Sequence, residues 1–151
     1  MEKTIENLLP LIKKAINENS TIRIYPRGKS MMPMIKEGVD SVVLSKADDF
    51  KKYDIVFFKS DDSFYSLHRI IKITKDKIYV CGDNQSKKEI IDRKQIIAKV
   101  ESWYKGEEKI SNDDKKYRKY IRKIMIIRPF RRVKRKVFGW LLFFYMLELN
   151  Y

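Results

Sequence analysis

The chain has 151 residues, of which 44% are hydrophobic and 13% aromatic, enough for one domain with a real core. Its single cysteine, Cys81, excludes an intramolecular disulfide, and one cysteine with one histidine excludes a zinc site built from those residues. The net charge of +14 is concentrated in residues 115–136, which hold twelve Lys or Arg and no acid and leave 22 basic against 20 acidic residues elsewhere. The basicity therefore belongs to one segment and does not indicate what the main domain binds.

Residues 1–20 predict a short amphipathic helix that packs against the body. Its apolar residues recur at helical spacing, at Ile5, Leu8, Leu9, Ile12 and Ile16. Lys13 and Lys14 interrupt any continuous apolar segment, so the pattern does not indicate a secretory signal.

After residue 20 the apolar pattern changes from helical to alternating, which is typical of strands. Six short strands are predicted, at 21–25, 41–44, 53–58, 64–73, 77–81 and 95–104. Turn residues at close intervals favour a mainly β fold, a small, coiled, antiparallel and barrel-like sheet. The predicted β domain covers residues 21–110.

Residues 111–151 predict a basic helical tail, with a helix over 113–128 and a short apolar run at 137–147. Eleven residues are too few for a spanning helix, which needs about 20. The run follows a basic cluster, so we expect peripheral or monotopic contact with an anionic membrane surface. Packing on the body or on another copy of the chain, in a cytoplasmic protein, is the alternative. Nucleic acid is a less favoured partner because the apolar run has no use in that role.

The loop between the first two predicted strands contains a candidate nucleophile turn: Gly28-Lys29-Ser30-Met31-Met32-Pro33-Met34-Ile35. A serine needs a base to become a nucleophile, and His68 is the one histidine in the chain. The Gly-x-Ser turn favours an exposed hydroxyl and a Ser30 backbone N–H that stabilises an oxyanion. The flexible apolar residues that follow suit the lining of a peptide cleft, although core filling is the alternative for Met32; these are Met31, Met32 and Pro33.

The same segment, with Glu37-Gly38 after it, resembles the nucleophile box of the signal peptidase I and LexA-type serine peptidase superfamily. Residues 53–56 resemble its Gly-Asp-Ile-Val strand, with Tyr53 in place of glycine. Residues 67–70 resemble the base-bearing strand of histidine-type signal peptidases, and 82–85 match the Gly-Asp-Asn box. Residues 96–100 resemble the strand that closes the domain.

The resemblance implies a serine endopeptidase that needs no cofactor and no metal. Ser30 would attack a peptide carbonyl, and His68 would accept its proton and pass it to the leaving amine. The implied substrate is an extended leader or signal-like segment, cleaved after small side chains. The third catalytic group stays open between Asp83, in the Gly-Asp-Asn box, and Glu89 or Asp92 further on. A turn-capping role is the alternative for Asp83, and Arg69 is expected to order a carboxylate.

Departures from the pattern keep two other functions open. Many signal peptidases carry a hydroxyl residue at the position of Gly28, and LexA-type relatives use a lysine base. Lys72 lies four residues past the expected base position, so His68 is preferred. The alternatives are a non-catalytic peptide-binding module that keeps the groove and a self-cleaving regulatory domain of the LexA type.

Overall fold

A computed structural model describes residues 5–126, which form one helix, an antiparallel sheet and a second helical segment. Helix α1 spans Ile5–Asn17, and residues 115–126 form a helical segment that we call α2. The strands are β1 Ile22–Ile24, β2 Ser41–Ser45, β3 Ile55–Lys59, β4 Tyr65–Ile73, β5 Ile78–Cys81, β6 Glu89–Ile91, β7 Ile96–Lys105 and β8 Glu108–Ser111, with a 3₁₀ turn at Arg93–Gln95 before β7.

The sheet has the strand order β1-β2-β7-β3-β4-β5-β6, and β8 pairs with β7. Each pairing is antiparallel. The predicted mainly β, antiparallel fold is therefore confirmed. The sheet is open rather than closed into a barrel, since β1 and β6 lie at opposite ends of the order.

The six predicted strands lie within two residues of their observed bounds, and two further strands were missed. Strand β6 has three residues between lysines and an aspartate, too short for an alternating pattern to stand out. Strand β8 reads Glu-Lys-Ile-Ser and has one apolar residue. Both exist because a longer neighbour supplies the hydrogen bonds and most of the buried surface.

Two hydrophobic clusters cover the two faces of the central strands. In one cluster, α1, the residues after Ser30 and the inner face of α2 pack against β2, β3 and β7. The other contains Val56, Phe58, Ile70, Ile78, Val80 and Ile91. This explains why Ile55 to Phe58 is an unbroken apolar run, since both faces of β3 are buried.

The α2 segment begins directly after Asp114, whose carboxylate accepts hydrogen bonds from the backbone N–H groups of Lys116 and Tyr117. Tyr117 and Ile124 are buried against the body. The basic side chains of α2 all point to solvent: Lys115, Lys116, Arg118, Lys119, Arg122 and Lys123. The apolar run predicted at 137–147 and the basic cluster before it lie outside the described residues. Within residues 5–126, no helix is long and apolar enough to cross a membrane.

Candidate active site

The Ser30 turn is held by apolar anchors on its C-terminal side. Met31, Met34 and Ile35 are buried in the cluster beside α1, whereas Ser30 is half-buried. The backbone N–H of Ile35 donates to the Met31 carbonyl at 3.0 Å, which closes a helical turn. Because its neighbours are packed inward, the Ser30 hydroxyl sits on a fixed backbone at the surface. Of the other predicted lining residues, Met32 is half-buried and Pro33 is exposed.

A second turn, residues 82–85, packs directly against Ser30. The Asn84 N–H donates to the Ser30 carbonyl at 2.7 Å, and the Asn84 side chain donates to the Lys29 carbonyl at 3.2 Å. A methyl group added at Gly82 would lie 2.6 Å from the Ser30 carbonyl oxygen and 3.0 Å from Ser30 Cβ. Glycine is therefore required at position 82 by close approach of two backbones.

The sheet register places His68 across from that turn. Arg69 on β4 pairs with Cys81 on β5, so continuing the antiparallel register sets Gly82 opposite His68. Residues directly opposite in an antiparallel pair have Cα atoms about 4.5–5.5 Å apart. Ser30 contacts Gly82 and so lies beside the strand position that faces His68. The pairing of β4 with β5 therefore places the 82–85 turn, which contacts Ser30, at the end of β5 opposite His68.

The His68 imidazole is buried, with its Nδ1 atom 3.0 Å from Glu89 Oε1. Glu89 is the first residue of β6, which pairs with β5 on the far side from β4. The ring also lies 5.7 Å from the Phe58 ring, measured between centroids. A carboxylate on one side and an aromatic ring on another restrict how the imidazole can turn.

The other sequence-based candidates lie elsewhere. Asp83 is buried and its carboxylate binds Arg69. Asp92 is half-buried and pairs with Lys77, with Oδ1 to Nζ at 2.7 Å. Lys72 is exposed, and its Nζ lies 5.7 Å from the centre of the Tyr79 ring. Among the candidates for the third group, the contact with His68 is made by Glu89.

Arg69 and Asp83 form a buried, bidentate pair directly beneath the site. Arg69 Nε donates to Asp83 Oδ1 at 2.8 Å and Nη2 donates to Oδ2 at 2.6 Å, with both side chains fully buried. Arg69 also donates to the Tyr53 carbonyl at 2.9 Å and lies 3.0 Å from the Met34 sulfur. The pair thus fixes β4 to the 82–85 turn and to the loop that carries Ser30.

The pair is completed by two tyrosines of α2. Arg69 Nη1 donates to the Tyr117 hydroxyl at 2.6 Å, and the Tyr120 hydroxyl donates to Asp83 Oδ2 at 3.2 Å. The Tyr117 ring packs edge-on against Trp103 at 4.5 Å between centroids. From the sequence, these tyrosines were considered only in the less favoured interpretation of the tail as a nucleic-acid-binding segment. Their spacing of three residues, which places them on one helix face, was the available signal.

The electrostatics of this network keep Arg69 charged and Tyr117 neutral. Burial alone would lower the pKa of Arg69, but the hydrogen bonds and charge of Asp83, with Tyr117, outweigh burial and raise that pKa above its usual value. Burial raises the pKa of the Tyr117 hydroxyl above its ordinary 10.0, although the charge and hydrogen bond of Arg69 oppose the shift. Arg69 and Asp83 therefore form a compensated charge pair in the interior rather than two isolated charges.

Tyr53, which stands where the resemblance has glycine, adopts a φ of +82°. This left-handed region is costly for a bulky residue. Its N–H donates to the Ile70 carbonyl at 2.8 Å, and its carbonyl accepts from Arg69. The strained backbone is therefore held on both sides by β4.

A groove leads to Ser30 from the side of α1. A cavity of about 90 Å³ is lined by Gly28, Ser30, Met31 and Leu67, among others. It adjoins a larger, mainly apolar cavity of about 370 Å³, and the two share the residues Pro26, Arg27, Tyr65, Ser66 and Leu67. The larger cavity is walled by Ile5, Glu6 and Leu8 of α1.

Another cavity lies toward the C-terminal end of α1 and shares Tyr65 with the groove. The described residues that line this depression of about 640 Å³ come from α1, the β3–β4 turn and the start of β7, and include none of the predicted site residues.

Within residues 5–126, no cluster of three or more His, Cys, Asp or Glu side chains forms a candidate metal site.

The chain belongs to the Peptidase S24-like family, whose model matches residues 1–101. Membership identifies the β domain as a peptidase-type domain of the superfamily that includes LexA and the signal peptidases. No curated protein and no solved structure matches the chain. The family match ends before α2, so Tyr117 and Tyr120 lie outside the matched segment.

Proposed function

We propose that the protein is a serine endopeptidase that cleaves an extended, leader or signal-like peptide. Ser30 is the nucleophile, His68 the general base and Glu89 the group that orients the imidazole. The observation that carries this proposal is the packing of Ser30 against Gly82, opposite a histidine whose Nδ1 lies 3.0 Å from a carboxylate. The groove that ends at Ser30 supports an extended substrate.

The chemistry follows from which ring nitrogen faces which group. Nδ1 is the ring nitrogen that lies 3.0 Å from Glu89 Oε1, so in this mechanism Nε2 takes the proton when Ser30 Oγ attacks the peptide carbonyl. The positive charge that forms on the ring is stabilised by the Glu89 carboxylate. The Ser30 N–H would donate to the oxyanion, and His68 would return the proton to the leaving amine. Water then releases the acyl group by the same route.

The test is cleavage of a library of unstructured peptides, with products identified by mass spectrometry. Ser30→Ala and His68→Ala should each lower kcat by roughly 10⁴–10⁶-fold. Ser111→Ala, an exposed serine on β8, serves as the matched control. Full cleavage by folded His68→Ala protein would refute the dyad.

Self-cleavage is the second candidate, because the family match also covers LexA-type self-cleaving domains. The kinetic order of the reaction distinguishes self-cleavage from cleavage of a separate peptide. Self-cleavage within one chain has a rate that is independent of protein concentration, and it shortens the purified chain on standing. A stable intact mass, with turnover of added peptide, favours the endopeptidase. A binding module without catalysis predicts peptide binding with no turnover and no acylation of Ser30 by a serine-directed probe.

We further propose that the tail holds the protein at an anionic membrane surface. The apolar face of α2 is already packed on the body, so contact by α2 would be electrostatic, through its six outward-facing basic residues. Basic residues near such a surface contribute about 1 kcal/mol each. The triple change Lys119→Gln, Arg122→Gln, Lys123→Gln should therefore weaken binding to vesicles of anionic lipid by about 10²-fold. The same number of changes at exposed lysines of the body (Lys51, Lys75 and Lys109) is the control.

A further inference from the structure

Support for the candidate site extends beyond the segment that matches the family. The 82–85 turn contacts Ser30 through Gly82 and Asn84, and Asp83 lies between them in the chain. The Asp83 side chain therefore anchors that turn to the interior. Its carboxylate accepts from Arg69, the neighbour of His68, and from Tyr120 of α2.

Tyr117 contacts Arg69, the other member of the Arg69–Asp83 pair. Arg69 directs one nitrogen, Nη1, to both the Tyr53 carbonyl and the Tyr117 hydroxyl. The same hydroxyl lies 3.5 Å from the Tyr53 carbonyl, toward which it donates. Tyr117 thus fixes the rotation of the guanidinium, and the guanidinium fixes the Asp83 carboxylate. Both tyrosine hydroxyls bond directly to this pair, so their role is to position it.

We propose that Tyr117 and Tyr120 are positioning residues of the active centre, so that docking of α2 sets the position of Ser30 relative to His68. The proposal rests on the proposed function for its kinetic consequence. The geometric part stands on the hydrogen bonds alone. Neither tyrosine lines the groove that leads to Ser30, so the proposal assigns them an effect on the chemical step and not on peptide binding.

Tyr117→Phe and Tyr120→Phe test this with minimal change, because each removes a hydroxyl and keeps the ring. Misplacement of a reacting group by about 1 Å can cost about 10²-fold. We expect kcat to fall about 10–100-fold while KM stays within about twofold. Tyr79→Phe, the same change on β5 and away from the pair, is the matched control and should keep the wild-type kcat.

His68 provides a readout that does not depend on activity. It is the one histidine in the chain, so its ring signals in an NMR spectrum are assigned without ambiguity. Tyr117→Phe and Tyr120→Phe should each shift the His68 ring signals, whereas Tyr79→Phe should leave them in place. Measurement far below the melting temperature separates this shift from loss of fold.

The outcomes distinguish the two proposals. A shifted His68 signal with a lowered kcat supports the positioning role. Unshifted signals and a wild-type kcat in both variants, with Ser30→Ala inactive, overturn it and leave the peptidase function intact. If the wild-type protein cleaves no peptide, the proposed function fails, and the positioning proposal is then decided by the His68 ring signals of the two variants. A shift of those signals supports positioning by α2, and unshifted signals overturn it.

Discussion

His68 Nδ1 lies 3.0 Å from Glu89 Oε1, and the imidazole is buried while the carboxylate is 30% exposed. The contact joins β4 to β6 across β5. In the proposed mechanism it favours Glu89, seven positions after Gly82, as the orienting group over the aspartate of the Gly-Asp-Asn turn. A carboxylate beside one ring nitrogen of a buried imidazole helps to fix the ring. The other ring nitrogen is then directed away from that carboxylate.

Glu89→Gln should lower kcat because it keeps the size of the side chain and removes the charge that stabilises the imidazolium. We expect a loss between about tenfold and the roughly 10⁴-fold seen when such a carboxylate becomes an amide. Steady-state kinetics on a cleaved peptide measure it. Glu101→Gln, at an exposed position of β7, is the control and should have no effect. A wild-type kcat for Glu89→Gln would remove Glu89 from the mechanism.

Asp83→Asn should affect stability first. It leaves the fully buried Arg69 guanidinium without a compensating charge, and breaking a buried pair in this way costs about 3–5 kcal/mol. Denaturant unfolding measures the loss. If Asp83→Asn is as stable as wild type but loses cleavage, Asp83 rather than Glu89 serves the imidazole.

Gly82→Ala should displace Ser30. The added methyl group meets the Ser30 carbonyl oxygen at 2.6 Å, and a backbone oxygen cannot rotate away as a flexible side chain would. We expect kcat to fall about 10²-fold and stability to fall by about 1–3 kcal/mol. Kinetics and unfolding of the same preparation give both values. Unchanged kcat would show that the 82–85 turn does not control Ser30.

Leu8→Trp should narrow the groove, because Leu8 lines its apolar part from the α1 side. For peptides with a bulky aliphatic side chain before the scissile bond, KM should rise about tenfold, with kcat little changed. Leu11→Trp is the control, since Leu11 is 50% exposed and is not among the residues that line the groove. Equal effects of the two changes would exclude α1 as a wall of the substrate groove.

Alkaline pH should weaken the fold partly through Tyr117. Its pKa is raised in the folded protein, so its contribution to stability is full below pH 10.0, its unfolded value, and is lost as pH rises toward the folded pKa. Tyr117→Phe removes the contribution of this ionisation to the free energy of unfolding. The free energy of unfolding of the variant should therefore fall less steeply above pH 10 than that of wild type. Parallel curves would show that Tyr117 ionises equally easily in both states.

Much of the sheet was predictable because alternation and turn residues are local signals. The nucleophile turn and Gly-Asp-Asn turn were visible as motifs for the same reason. The choice between Asp83 and Glu89 was not predictable, since it depends on β6, a three-residue strand whose pairing is decided by β5. The contacts of Tyr117 and Tyr120 were hidden for a similar reason, because a basic helix gives no indication of which buried charge its inner face meets.

The partners of Arg69 come from positions 34, 53, 83 and 117, so no shorter stretch of chain can satisfy it. A guanidinium left partly paired in the interior costs several kcal/mol. States with the sheet formed and α2 detached are therefore sparsely populated, and sheet and helix should unfold in a single transition. During synthesis, the Arg69 guanidinium lacks its Tyr117 partner until residue 117 has been made. The nascent chain therefore completes the hydrogen bonds of Arg69 only after nearly all of residues 5–126 have been made.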